Sequence, residues 1–206
     1  MTFLQAPLDI SKRLRDICEE VSPENYPIYM GIEPLPEFPP DNCYFNVAEM
    51  VEREGGDSVF GWAIYEWPRV WHEFQFHAIW RDNEGDLHDV TPRRDNEKVV
   101  LFLPSELEFT GAPVSTRWFL MTSRSPVKEI RDIQIEIEKL KQDSYAVRGA
   151  APLPVGPERD LIISLEQKKL FLMSQQNCAP KLSDPCPCMS RQKYKFCCGR
   201  HTNRRR

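Results

Sequence analysis

Residues 74–92, FQFHAIWRDNEGDLHDVTP, restrict the fold more than any other stretch of the chain. Phe74, Phe76, Ala78 and Trp80 alternate with Glu73, Gln75, His77, Ile79 and Arg81, which is the period of a strand with one apolar and one mostly polar face. His77 therefore lies opposite the aromatic residues. A three-residue loop Asn83-Glu84-Gly85, with Gly85 left-handed, sets Asp82 opposite Asp86, Ile79 opposite Asp89 and His77 opposite Thr91. His77 and Asp89 then become diagonal neighbours on one face, about 7–8 Å apart. At that distance a carboxylate can orient an imidazole. A two-residue turn would reverse the parity and separate them. Under the three-residue loop His72 and His88 belong to the other face.

The segments on either side predict what this hairpin packs against. Ile10, Leu14, Ile17 and Val21 recur at helical spacing, so residues 9–21 read as an amphipathic helix, with Cys18 beside its apolar stripe. Residues 22–41 hold six prolines, which suits an extended strap over the surface. Residues 43–53 are apolar enough for a largely buried short helix, capped by Asp41 or Asn42 and ended by Gly55-Gly56. Residues 58–66 are apolar on both faces, as a central strand must be. With residues 70–81, 87–91 and 99–103 this gives four successive strands joined by short connections, hence an antiparallel meander. Residues 109–121 can add another strand. Ser125-Pro126 opens a helix to about Lys141, whose buried stripe is Val127, Ile130, Ile133, Ile137 and Leu140. Residues 146–157 are rich in Pro and Gly and read as a linker. A last helix spans about 158–175, with its apolar residues in clumps that do not define a face. No alternating strand–helix–strand pattern appears, so the class is α+β, with an antiparallel sheet and a helix packed on it.

Seven cysteines in 206 residues could suggest a disulfide framework, but four crowd into residues 186–198 while Cys18, Cys43 and Cys178 stand apart. Clustering of this kind favours a metal. Cys186, Cys188, Cys197 and Cys198 supply the four thiolates of a closed tetrahedral zinc site, and His201 is a further candidate for the fourth position. A segment this short and this poor in apolar residues depends on the metal to fold. Residues 186–199 resemble the SEC-C motif, the zinc-binding tail of the SecA translocase motor and of many otherwise unrelated proteins. The match includes Pro187, Ser190, Lys193, Tyr194 and Gly199, while Met189 and Arg191 stand where the motif usually has glycine. The resemblance implies a binding element, because in the translocase this tail contacts a chaperone and the ribosome. The charge balance fits a contact of that kind. Residues 181–206 carry eight Lys/Arg against one Asp, leaving 19 Lys/Arg against 30 acidic residues in the rest of the chain. A basic end on an acidic body suits an acidic protein face or RNA.

Cys43 opens a helix, where unpaired N–H groups and the dipole favour thiolate over thiol. His77 follows on a strand and Asp89 on the next. The order and spacing resemble the transglutaminase-like branch of the papain-type thiol enzymes, in which an H-A-x-aromatic strand carries the histidine and a D-x-T-P strand the aspartate. Here these are His77-Ala78-Ile79-Trp80 and Asp89-Val90-Thr91-Pro92. What the resemblance implies is a thiol site with Cys43 as nucleophile, His77 as base and Asp89 as orienting group, acting on an amide bond by hydrolysis, deamidation or acyl transfer. The backbone N–H of Cys43 and the side chain of Asn42 are the oxyanion donors that suggest themselves. The other reading is a non-enzymatic zinc adaptor for a protein or ribonucleoprotein partner. The chain thus divides into a transglutaminase-like or papain-like core over residues 1–145, a linker and helix over 146–180, and a zinc knuckle with a basic tail over 181–206. The first dozen residues lack a basic n-region followed by an apolar h-region, and no apolar run is long enough to span a bilayer. A cytoplasmic protein without a membrane partner is expected.

Overall fold

The computed structural model describes residues 4–93, 97–111, 114–142, 156–176, 181–184, 186, 188 and 190–200. Helix α1 (Lys12–Val21) starts at Ser11, whose hydroxyl accepts from the Leu14 N–H at 3.2 Å, and buries Leu14, Ile17 and Cys18. Strand β1 (Ile28–Gly31) follows, then α2 (Cys43–Glu54), β2 (Asp57–Trp67), β3 (Trp71–Arg81), β4 (Leu87–His88), β5 (Val99–Pro104), β6 (Arg117–Leu120), α3 (Ser125–Gln142) and α4 (Pro157–Gln175). The mixed helix and antiparallel-sheet class expected from the sequence is present. Among the described residues no helix is long and apolar enough to cross a membrane.

Strand order departs from a meander. The sheet runs β1-β5-β2-β3-β4, with β6 beside the first half of β3. After β4 the chain crosses to the far edge of β2, where Trp62 pairs with Leu103 and Ile64 with Leu101. The reason lies in β2 itself. Trp62 and Ile64 have no exposed surface and Ala63 almost none, and such a strand needs a neighbour on each edge. The strap differs too, because it contributes β1, whose Ile28 faces Phe102 and Gly31 faces Val99. Residues 28–33 are the proline-free interval between Pro27 and Pro34, and an edge strand needs no more. The expected strand over 87–91 keeps ladder pairs only at Leu87 and His88.

Asp89 leaves β3 and instead bridges Ile32 in parallel. The N–H of Glu33 donates to the Asp89 carbonyl at 2.9 Å and that of Leu35 to the Val90 carbonyl at 3.1 Å. These bonds bring the two edges of the sheet together and nearly close it. Both faces of β2 and β3 are buried as a result. Inside the ring pack Ile32, Ala63, Tyr65, Ile79, Val100 and Phe102. Outside, Trp62, Ile64, Phe74 and Phe76 meet α1, while Val47 and Met50 of α2 lie on Ala78 and Val90. Each Val, Ile, Met and Phe among them contributes about 1.5–3 kcal/mol by leaving water. Gly61, opposite His77, admits β5 closely: a β-carbon there would lie 2.3 Å from the Leu103 carbonyl oxygen and 2.7 Å from the Phe102 ring.

Helix α3 sets Val127 and Ile130 on Trp67, Val70 and Trp71, and Ile162 of α4 packs with Ile133 and Ile137. The expected linker lies outside the described residues up to residue 155. The described residues between 181 and 200 include a short 3-10 turn, Tyr194–Phe196, and touch the rest of the molecule. Arg69 reaches Asp184 at 2.8 Å, and Lys193 reaches Asp9 at 3.5 Å.

Candidate functional site: a thiol cleft and a four-cysteine knuckle

The long strand β3 has a different neighbour on each half of one edge. Residues 71–74 pair with β6 and residues 80–81 with β4. Between these ladders, residues 75–79 have no strand beside them on that edge among the described residues, and the first turn of α2 fills the opening. Tyr44 donates its hydroxyl to the Phe76 carbonyl at 2.9 Å, which satisfies a carbonyl that would otherwise await a ladder partner. Its ring stacks on Phe109 with centroids 4.1 Å apart. Cys43, beside it, lies close enough to His77 for its sulfur to act on the imidazole electrostatically.

The hairpin loop has the expected length. Gly85 is left-handed at φ +94°, and the Asp82 N–H donates to the Asp86 carbonyl at 3.0 Å. This register carries Asp89 to His77, and Nε2 of the ring lies 3.1 Å from Asp89 Oδ2. Because Nε2 faces the carboxylate, Nδ1 is the nitrogen left for Cys43. Burial alone pulls the imidazole down, but the Asp89 carboxylate and the Cys43 sulfur outweigh it and hold His77 well above the ordinary histidine range. Asn46 fixes the relative position of the parts: its Nδ2 donates to the Pro39 carbonyl at 3.0 Å and to Thr91 Oγ1 at 3.3 Å. The helix start is thereby tied both to the strap and to the segment after β4.

Asp89 has no exposed surface. Besides His77, its Oδ2 accepts from Arg93 Nη2 at 2.9 Å, and its Oδ1 accepts from the Thr91 N–H at 3.3 Å. A cleft of about 240 Å3 opens over these residues, lined by Cys43, His77, Tyr44, Gln75, Tyr65 and Arg93, among others. Of the three residues singled out in the sequence as a thiol site, Cys43 and His77 line the cleft, and Asp89 lies buried behind His77. Asn42, proposed as a donor, is buried, makes no side-chain cap bond and is not on the wall. Of Asp41 and Asn42, the two residues expected to cap α2, Asn42 holds the cap position without a side-chain bond. Asp41, which is on the wall, holds a left-handed φ of +60°.

Sequence reasoning missed Arg93, Gln75 and Tyr65. The available signal for Arg93 was chemical, since a carboxylate read as buried needs a countercharge. His72 and His88 face away as expected; His88 lies between Glu33 and Asp82 at 3.1 and 2.9 Å. Cys18 is a buried thiol pushed up to about 12 by burial, the opposite of activation. Cys178 and His201 lie outside the described residues.

Cys186, Cys188, Cys197 and Cys198 present sulfurs that all lie within 4.8 Å of one another. Three of the separations are 3.4, 3.4 and 4.0 Å, close to the edge of about 3.8 Å that four thiolates at about 2.3 Å from one tetrahedral ion would span. These four residues fit a metal ion. Ser190 Oγ donates to Cys197 Sγ at 3.2 Å. Gly199 is required for space, because a β-carbon there would lie 2.6 Å from the Tyr194 carbonyl oxygen. Arg191 has a φ of +57°, the conformation glycine adopts most cheaply. Its side chain reaches the core, with the guanidinium 5.0 Å from the Tyr29 ring and Nη2 3.5 Å from the Pro7 carbonyl.

No family model, curated protein or solved structure matches the chain.

Proposed function

We propose that the chain is a thiol enzyme of the transglutaminase-like or papain-like kind, acting on an amide bond and held to its target by a zinc knuckle. The observation that carries this reading is a single imidazole, His77, between a buried carboxylate and a helix-start thiol in an open cleft. Asp89 holds the ring by Nε2. His77 takes the proton of Cys43 through its other nitrogen, and the sulfur attacks the substrate carbonyl. When the tetrahedral intermediate collapses, the imidazolium returns the proton to the departing amine. Water or a second amine then resolves the thioester. Cys43 lies in the first turn of α2, where backbone N–H groups lack intrahelical acceptors, so its own N–H is the donor best placed for the oxyanion.

In the knuckle, Cys186, Cys188, Cys197 and Cys198 would hold zinc, which supplies a structural crosslink and no chemistry at the cleft. Its basic residues suit an acidic protein or ribonucleoprotein surface. The test is alkylation by iodoacetamide mapped by mass spectrometry in zinc-loaded protein. Cys43 reacts faster than Cys18 and Cys178, His77→Ala slows it and Cys18→Ala does not. Turnover of an amide substrate is lost in Cys43→Ala with fold and zinc intact. A Cys43 that is inert, or indifferent to His77, leaves the non-enzymatic adaptor as the reading.

A further inference from the structure

We infer that Arg93 is a positioning residue of the thiol cleft, its guanidinium offsetting the charge of Asp89 and so setting the pH range over which Cys43 and His77 share a proton. This rests on the thiol-enzyme reading above. His77 Nε2 and Arg93 Nη2 meet the same carboxylate oxygen, Oδ2, at 3.1 and 2.9 Å, so the guanidinium nitrogen is no more than about 6 Å from the ring nitrogen. The other oxygen is held by the Thr91 N–H. With both oxygens engaged, the carboxylate cannot rotate away from the imidazole.

The charge matters as much as the geometry. A fully buried carboxylate paired with one histidine would grip the imidazolium proton, and an acid that does not release its proton is a poor partner for a departing amine. Arg93 weakens that grip by competing for Oδ2. It is itself fixed, with its guanidinium 5.6 Å from the centre of the Tyr65 ring on the inner face of β2. Among the described residues, the ionisable groups around His77 are Cys43 of α2, Asp89 and Arg93 after β4, Asp41 of the strap, Tyr65 of β2 and Glu73 along β3. Toward β5 the ring meets an apolar neighbour, Phe102, with centroids 6.3 Å apart. Besides the imidazole of His77, Arg93 is thus the one basic side chain among the described residues lining the cleft.

The experiment is the pH profile of Cys43 alkylation in the full zinc-loaded chain. A buried positive charge at this distance is worth about one pH unit or more. Its loss in Arg93→Gln leaves a more negative site, so both the onset of alkylation and its upper limb move to higher pH, and Arg93→Lys restores them in part. Asp89→Asn moves both limbs down, and adding Arg93→Gln to it brings them back up. That double variant buries no unpaired charge, so it answers the question even if Arg93→Gln alone does not fold. Limbs unmoved in folded Arg93→Gln, or a double variant identical to Asp89→Asn, overturn the inference while Cys43 and His77 keep their roles. A Cys43 that ignores His77 in the parent chain overturns the thiol reading and this inference with it.

Discussion

Glu73 shows how much a single position inside the ring can cost. It sits on the inner face of β3, 6% exposed, with Gln75 Nε2 donating to its Oε1 at 2.6 Å. Burial pushes its carboxyl up to about 7, against a smaller opposing pull from Gln75, Trp71 and Lys169. A carboxyl whose folded pKa is raised keeps its proton in the native state between its unfolded value and about 7. Stability therefore falls as pH rises through that window, by about 3 kcal/mol for a shift of this size. Glu73→Gln should leave stability at pH 4 unchanged and raise it at pH 8 by up to that amount, as read by urea unfolding at both pH values. Buried His72, lowered to about 4 by desolvation, acts in the opposite direction in both proteins. The comparison is therefore parent against variant. An equal gain at both pH values would mean that packing, not ionisation, is responsible. The same scale shows what the sequence could reveal about the site. The parity of His77 and Asp89 was legible because a loop of fixed length sets every pair behind it. Arg93 was not, because it reaches Asp89 across an irregular turn whose path no periodicity records.

Among the elements, α1, α2, β2, β3 and α3 could be read from hydrophobic period alone, since each buries a stripe or face wide enough to repeat several times. The crossing of β5 could not. Pairing with β2 or with β4 demands the same apolar run, and only the joint needs of the sheet choose between them. β1 was hidden by its prolines, which mark its ends. The clumped pattern of α4 has its own explanation: the helix rests mainly on one other helix, which takes a narrow stripe and leaves the rest bare. Ile162 is 2% exposed between Ile133 and Ile137, whereas Leu170 and Phe171 are 61% and 63% exposed. Ile162→Ala should cost about 2–4 kcal/mol, and Leu170→Ala no more than about 0.5 kcal/mol, by denaturant unfolding. Similar losses at both positions would mean that the bare face of α4 is covered in solution.

At the scale of the whole molecule, the knuckle is fastened to the core by the contacts Arg69–Asp184, Lys193–Asp9 and Arg191–Tyr29. The exposed Lys193–Asp9 pair is worth about 0–1 kcal/mol, and three contacts in all orient a metal-folded knuckle but do not replace the metal that folds it. Cys188→Ser should therefore release one zinc per chain and open residues 181–200 to limited proteolysis, with the far-ultraviolet signal of the sheet kept. Undiminished zinc in that variant would remove the metal assignment, and loss of the sheet signal would make metal and core one cooperative unit.

The closure of the sheet has a consequence in time. Asp89 and Val90 are held from behind by Glu33 and Leu35 respectively, which follow β1, and β1 is held by β5. During synthesis Ile28 emerges early but has nothing to pair with until Phe102 has been made. Contacts so distant along the chain form late, because the loop between them must first be closed. Cys43, His77 and Asp89 can meet through α2 and the hairpin before then, but the bonds that back the Asp89–Val90 segment cannot be fixed. A growing or truncated chain therefore carries its three site residues on a helix and a hairpin without backing, and they gain a rigid frame only when the ring is complete.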